Sequence, residues 1–170
     1  MQHVNYIQNA ERQEEEAAER EKVHKMLQAQ MMPFIRHAAV EQWLKQYTRE
    51  EYGKHFRFRL LLLRGRSRAG KTVFARKLFG DSATIVVNCQ GLQHNVPSLR
   101  HFERNKHKAI VFDEVTHEQI LMNKALFQAG VDAVELSQSN CGGFRYSIWP
   151  YQVAMICCSN WFPLTKTSIG

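Results

Sequence analysis

No apolar run in the sequence approaches the roughly 20 residues that cross a bilayer. The first residues, MQHVNYIQNAERQEEEAAER, are polar and hold no apolar segment of the signal-peptide kind. A soluble, intracellular protein with no membrane partner is therefore expected. Metal-binding spacings are missing as well. The four cysteines, Cys89, Cys141, Cys157 and Cys158, form no CxxC, and neighbours on one strand point to opposite faces. The eight histidines form neither HExxH nor HxH. Small buried apolar side chains are the expected role of the cysteines. Acidic residues are absent from 54–77, a stretch rich in Lys and Arg, whereas residues 11–21 carry Glu11, Glu14, Glu15, Glu16, Glu19 and Glu21. The net charge of +7 thus belongs to the later part of the chain and favours a polyanionic partner.

At 170 residues and 44% apolar composition, the chain is long enough for one ordinary domain with a small appendage. Residues 9–31 are rich in Glu, Ala, Arg, Gln and Met and hold neither Gly nor Pro, so a solvated helix or extended arm is expected before Pro33. Residues 34–52 resume a helical pattern with Ile35, Ala39, Trp43 and Tyr47 on one face. After Gly53, the segment FRFRLLLL reads as an alternating strand that becomes continuously apolar. ATIVVN, KAIVFDE and VAMICCSN read as further strands, with helices from Lys71 to Gly80 and from Glu118 to Phe127 between them. Strands alternating with helices predict an α/β fold with a mainly parallel sheet flanked by helices. VELSQSNCGGFRYSIW, residues 134–149, reads as a hairpin turning at Asn-Cys-Gly-Gly. The expected division is a helical arm over 1–55 and an α/β domain over 56–170.

The segment GRSRAGKT, residues 65–72, matches GxxxxGK[ST] without a gap, after an apolar strand and at the start of a helix. Such a P-loop wraps phosphate oxygens in backbone N–H groups: Gly65, Arg66, Ser67, Arg68, Ala69 and Gly70 form the cradle, with the glycines supplying the backbone freedom. Lys71 is expected on the β- and γ-phosphates and Thr72 on magnesium. AIVFDE then brings Asp113 to the metal and Glu114 to the attacking water. The strand 153–158 stops on Ser159 and Asn160. In a parallel sheet all strands end at one rim, so Asn160 is expected beside the γ-phosphate and the lytic water. ATP and Mg2+ are the implied cofactors, and Lys71, Glu114 and Asn160 the implied catalytic groups.

A P-loop, a strand-borne Asp-Glu pair some 40 residues on, and a strand ending in Ser-Asn resemble superfamily 3 helicases. Within that group the chain is most similar to the ATPase domain of replication-initiator (Rep) proteins of small circular single-stranded DNA viruses and their cellular relatives, over residues 56–164. The resemblance assigns Gly65–Thr72 to motif A, Asp113 and Glu114 to motif B, and Asn160 to motif C. It implies a hexameric ring moving on single-stranded DNA, with RNA possible, and a location in nucleus or cytoplasm, the host nucleus for a viral protein. It also implies a channel hairpin between motifs B and C, where Arg145 would contact phosphate and Phe144 and Tyr146 would stack on bases. Lys106 and Lys124 are weaker candidates.

Two features depart from that family. The first 55 residues show no paired histidines of a nicking domain, so no nicking is expected. No Arg follows Asn160, where a trans-acting arginine usually lies; Arg100 and Arg104 are substitutes, or the chain is a fragment or a slow, degenerate copy. The competing readings are a nucleotide-dependent assembly module with weak catalysis and a P-loop small-molecule kinase.

Overall fold

A computed structural model describes residues 2–30, 34–137 and 144–160, with side chains throughout except at 2–11, 28 and 30. The expected turn at residues 140–143, Pro33 and Lys166 lie outside the described residues. Helix α1 spans Gln2–Gln30. Its described side chains are exposed, and i,i+4 pairs link Arg12 to Glu16 at 3.8 Å and Glu21 to Lys25 at 2.8 Å. Each such solvated pair adds only about 0.3–0.5 kcal/mol.

Two compact units divide between Ile35 and Arg36, so residues 36–55 fold with the sheet. The reason is Trp43. Helix α2, Ala38–Leu44, is capped by His37, whose Nδ1 accepts from the Ala39 N–H. It buries Val40 and Trp43, the latter in the core with Ala75, Val111 and Ile156. Trp43 Nε1, Gln46 Nε2 and Tyr47 Oη all donate to the Arg59 carbonyl, at 2.6, 3.1 and 3.0 Å. Ile35, expected on the same apolar face, is instead 95% exposed. Beyond α2 the helix tightens into 3-10 turns at Lys45–Tyr47 and Arg49–Glu51.

Those bonds explain where the first strand starts. Arg59 N–H donates to Gln46 Oε1 at 2.8 Å, and Phe58 N–H to the Gln128 carbonyl. With its backbone bonded elsewhere, the alternating FRFR stretch stays outside the sheet, and β1 is Leu61–Gly65. The remaining strands are β2, Thr84–Asn88; β3, Ala109–Asp113; β4, Val134–Ser137; β5, Arg145–Ile148; and β6, Ala154–Asn160. Four of them form an all-parallel sheet in the order β1-β6-β3-β2. Antiparallel β4 and β5 make a separate two-stranded sheet.

The fold is α/β, with helices flanking the parallel sheet. β3 and β6 are continuously apolar because both faces are covered. Alternate residues feed two core clusters. Ala109, Val111, Ala154 and Ile156 pack on the side of helix α3, Lys71–Phe79, whereas Ile110, Phe112, Met155 and Cys157 pack with Phe58, Leu99 and Phe127. The helix expected over 118–127 is two short ones, α4 (His117–Met122) and α5 (Lys124–Phe127). Asn123 separates them; its amide donates to the carbonyls of His94 and Gln119, both at 2.8 Å.

Candidate functional site

Register and alternation together build the site. β6 lies between β1 and β3 and pairs Asn160 with Gly65, and Cys158 with both Leu63 and Asp113. Residues two apart on a strand share a face. Ala154, Ile156 and Cys158 pack on the α3 side. The same parity places Asp113 with Val111 and Gly65 with Leu63. Gly65, Asp113 and Asn160 therefore end neighbouring strands at one rim, with Gly65 and Asp113 on the face where α3 begins, while Asn160 borders a cavity walled by Leu62, Cys89 and Gln119 of the other face.

The loop from Gly65 to Lys71 is turned by two left-handed residues, Arg68 at φ 62° and Gly70 at φ 79°. A bond of 3.3 Å from Ala69 N–H to the Arg66 carbonyl closes the turn. The expected need for glycine is met at Gly70 and not at Gly65. Gly65 is the last residue of β1, outside the left-handed region, and a Cβ there would meet Lys71 Cδ at an ordinary 3.7 Å. Arg66, Ser67, Arg68 and Ala69 are exposed.

Lys71 bends back over this loop. Its Nζ donates to the carbonyls of Gly65 and Arg66 at 3.0 and 2.8 Å. Arg66 and Arg68 precede it in the loop that opens α3, whose first turn has no acidic residue.

Thr72 and Asp113 form the polar pair of the site. Thr72 Oγ1 donates to Asp113 Oδ1 at 2.9 Å, and the same carboxylate oxygen accepts the Glu114 N–H at 3.1 Å. A hydroxyl that donates its proton keeps lone pairs for a cation, so hydroxyl and carboxylate offer a hard, oxygen-only pair. Among the described residues no group of three or more His, Cys, Asp or Glu could hold a metal. An ion on Thr72 and Asp113 would take its remaining ligands from phosphate and water, as Mg2+ commonly does.

Cys158, expected as a small buried apolar side chain, sits beside this pair. It is fully buried. Burial, and secondarily the Asp113 charge, push its thiol up to about 12, against weaker opposing effects of Thr72 and Lys71. It is a neutral floor to the site.

Glu114 leaves β3 with φ at 55°, a conformation that costs a non-glycine residue about 1–2 kcal/mol. The turn brings Glu114 to the wall of a cavity of about 860 Å³, shared with Arg64, His117, Ser159 and Asn160. Glu114 and Asn160 thus line one cavity, while Lys71, Thr72 and Asp113 lie outside its walls.

The other expected residues are placed differently. Arg104 Nη1 donates to the Tyr151 carbonyl at 2.7 Å, and its guanidinium lies 4.1 Å from the centre of the Trp149 ring. Arg100 lies over Phe144 and Tyr146 at 5.5 and 5.9 Å. The three hairpin residues split between two faces. Phe144 is 72% exposed and Arg145 is exposed, 4.0 Å from Glu135. Tyr146 instead packs against the core, and its hydroxyl accepts the Leu99 N–H at 2.7 Å. Tyr146 is therefore an anchor of the hairpin and not an open stacking surface. Lys106 and Lys124 are exposed.

Compared with models of known protein families and with curated proteins, the chain matches none.

Proposed function

We propose that the chain is a P-loop ATPase of the superfamily 3 helicase kind, a motor that binds Mg·ATP and couples its hydrolysis to movement on single-stranded nucleic acid. Replication of a viral or virus-derived element is the process it would serve, with several copies in a ring. The observation that carries this reading is the bond between Thr72 and Asp113 beside a rim shared by Gly65 and Asn160. It joins the start of α3 to the end of β3, and β6 ends beside β1 at the same edge of the sheet.

In this reading the N–H groups of the 65–72 loop hold the phosphates, and Lys71 exchanges its loop carbonyls for phosphate oxygens. Thr72 and Asp113 would hold Mg2+, which would supply neutralisation of phosphate charge. Glu114 takes the proton of the attacking water, and Asn160 orients that water against the γ-phosphate.

The test is steady-state ATP turnover by the full chain with and without single-stranded DNA. Stimulation by DNA that Lys71→Ala removes supports the motor. Turnover that ignores DNA and phosphorylates a small acceptor supports the kinase alternative. A specific observation favours a third reading, an assembly module with weak catalysis: Arg100 and Arg104 are both engaged within the chain, and a missing finger costs about 10³–10⁵ in rate. Nucleotide binding without turnover would select it.

A further inference from the structure

At the opposite end of the parallel sheet, before β3 and β6 begin, lies a cavity of about 960 Å³. Its walls include Arg49, Arg104, His107 and Lys108 together with Tyr52 and Trp149, and no Asp or Glu stands among its described walls. Tyr52 is 53% and Trp149 42% exposed. Parallel strands of five residues separate this cavity from the Thr72–Asp113 pair by about 17 Å, so it is a distinct place on the molecule.

The loop before β3 links the cavity to the hairpin. Leu99 N–H is tied to Tyr146, and from that loop Arg100 reaches over Phe144 while Arg104 reaches over Trp149. Phe144 precedes β5 and Trp149 follows it. Cations and aromatic rings are thus paired at both ends of one strand, and at the lower end Trp149 shares the cavity with Lys108 and Arg49. Within the cavity, Trp149 already stacks on Tyr151 and carries Arg104, so the exposed cations Arg49 and Lys108 beside the half-exposed Tyr52 ring are what suit a phosphodiester chain with unpaired bases, the cations meeting phosphates and Tyr52 a base face.

We infer that this cavity is a second binding subsite for single-stranded nucleic acid, in which a strand engaged by the exposed Phe144 and Arg145 runs along β5 and ends between Arg49, Lys108 and Tyr52. The inference rests on the nucleic-acid part of the proposed function and adds a site remote from the candidate nucleotide site. DNA and RNA share the chemistry that the cavity reads.

The experiment measures anisotropy of fluorescein-labelled oligothymidylate and oligouridylate against salt, using the full chain, an Arg49→Ala/Lys108→Ala double variant and Arg145→Ala. Each phosphate contact on a single strand contributes about 0.7 to the slope of log affinity against log salt. The double variant should lose about 1.4 in slope, with an unchanged urea midpoint, and Arg49→Lys/Lys108→Arg should restore it. An unchanged slope in the double variant, with a loss only in Arg145→Ala, overturns the subsite and leaves the motor reading standing. Wild-type protein that binds neither oligonucleotide overturns both. An oligoglutamate peptide whose binding is lost in the double variant, while oligonucleotide binding is kept, assigns the cavity to an acidic polypeptide and likewise overturns the inference.

Discussion

Thr72→Val is the most informative single change, because it removes one atom's chemistry and nearly preserves shape. The hydroxyl donates to Asp113 Oδ1 at 2.9 Å, and both groups are half-buried. A hydrogen bond to a charged partner contributes about 1.5–3 kcal/mol. Asp113 Oδ1 keeps the Glu114 N–H, so the carboxylate is not orphaned and the stability cost should fall near the lower end, about 1–2 kcal/mol. The effect on Mg-dependent ATP turnover should be larger than stability explains, about 10²–10³, the usual consequence of deleting one preorganised group at a reacting phosphate. Thr72→Ser keeps the hydroxyl and should retain most of the activity. Urea unfolding gives the first quantity, and turnover at saturating magnesium the second. Turnover by Thr72→Val within threefold of wild type, roughly 0.7 kcal/mol, would refute a metal-holding role for the hydroxyl.

Three further outcomes follow from packing and backbone geometry. Trp43→Ala removes a buried ring and its bond to the Arg59 carbonyl and should lower unfolding free energy by about 3–5 kcal/mol, whereas Trp43→Phe should cost about 1 kcal/mol because Gln46 and Tyr47 still reach that carbonyl. Glu114→Gly relieves a left-handed φ of 55° and should leave stability equal or about 1 kcal/mol higher in denaturant titration while abolishing turnover. Burial pushes both Cys89 and Cys158 up to about 12. Folded thiols then keep protons that unfolded ones release, so stability should hold below about pH 9 and fall from there toward pH 12, by up to about 1.4 kcal/mol per unit per thiol. Urea midpoints at pH 8 and 10 measure it, and equal midpoints would contradict the buried thiols.

How much could be read in advance differs from segment to segment. β3 and β6 are legible because a strand covered on both faces must be apolar throughout, and Asp113 and Asn160 stand out as the polar residues that end such runs. The start of β1 is not, because the alternating FRFR pattern is overridden by side chains of Gln46, Trp43 and Tyr47 that claim the Arg59 backbone. The break between α4 and α5 depends on Asn123 reaching the distant His94 carbonyl, which no helical period encodes. The closeness of Thr72 to Asp113 follows from motif spacing. Strand order does not, so the placing of Cys158 between the β1 and β3 strands emerges only from the register. Tyr146 shows the limit of a local motif: alternation along β5 turns it to the core while Arg145 faces solvent.

Calorimetric titration of Mg·ATP into the wild-type chain and Lys71→Ala tests most directly whether three segments form one triphosphate site. One site per chain is expected, weakened by about 10–100-fold in the variant, the loss of a charge-assisted bond to phosphate of about 1.5–3 kcal/mol. No binding by wild type, or equal affinity in the two proteins, would contradict it.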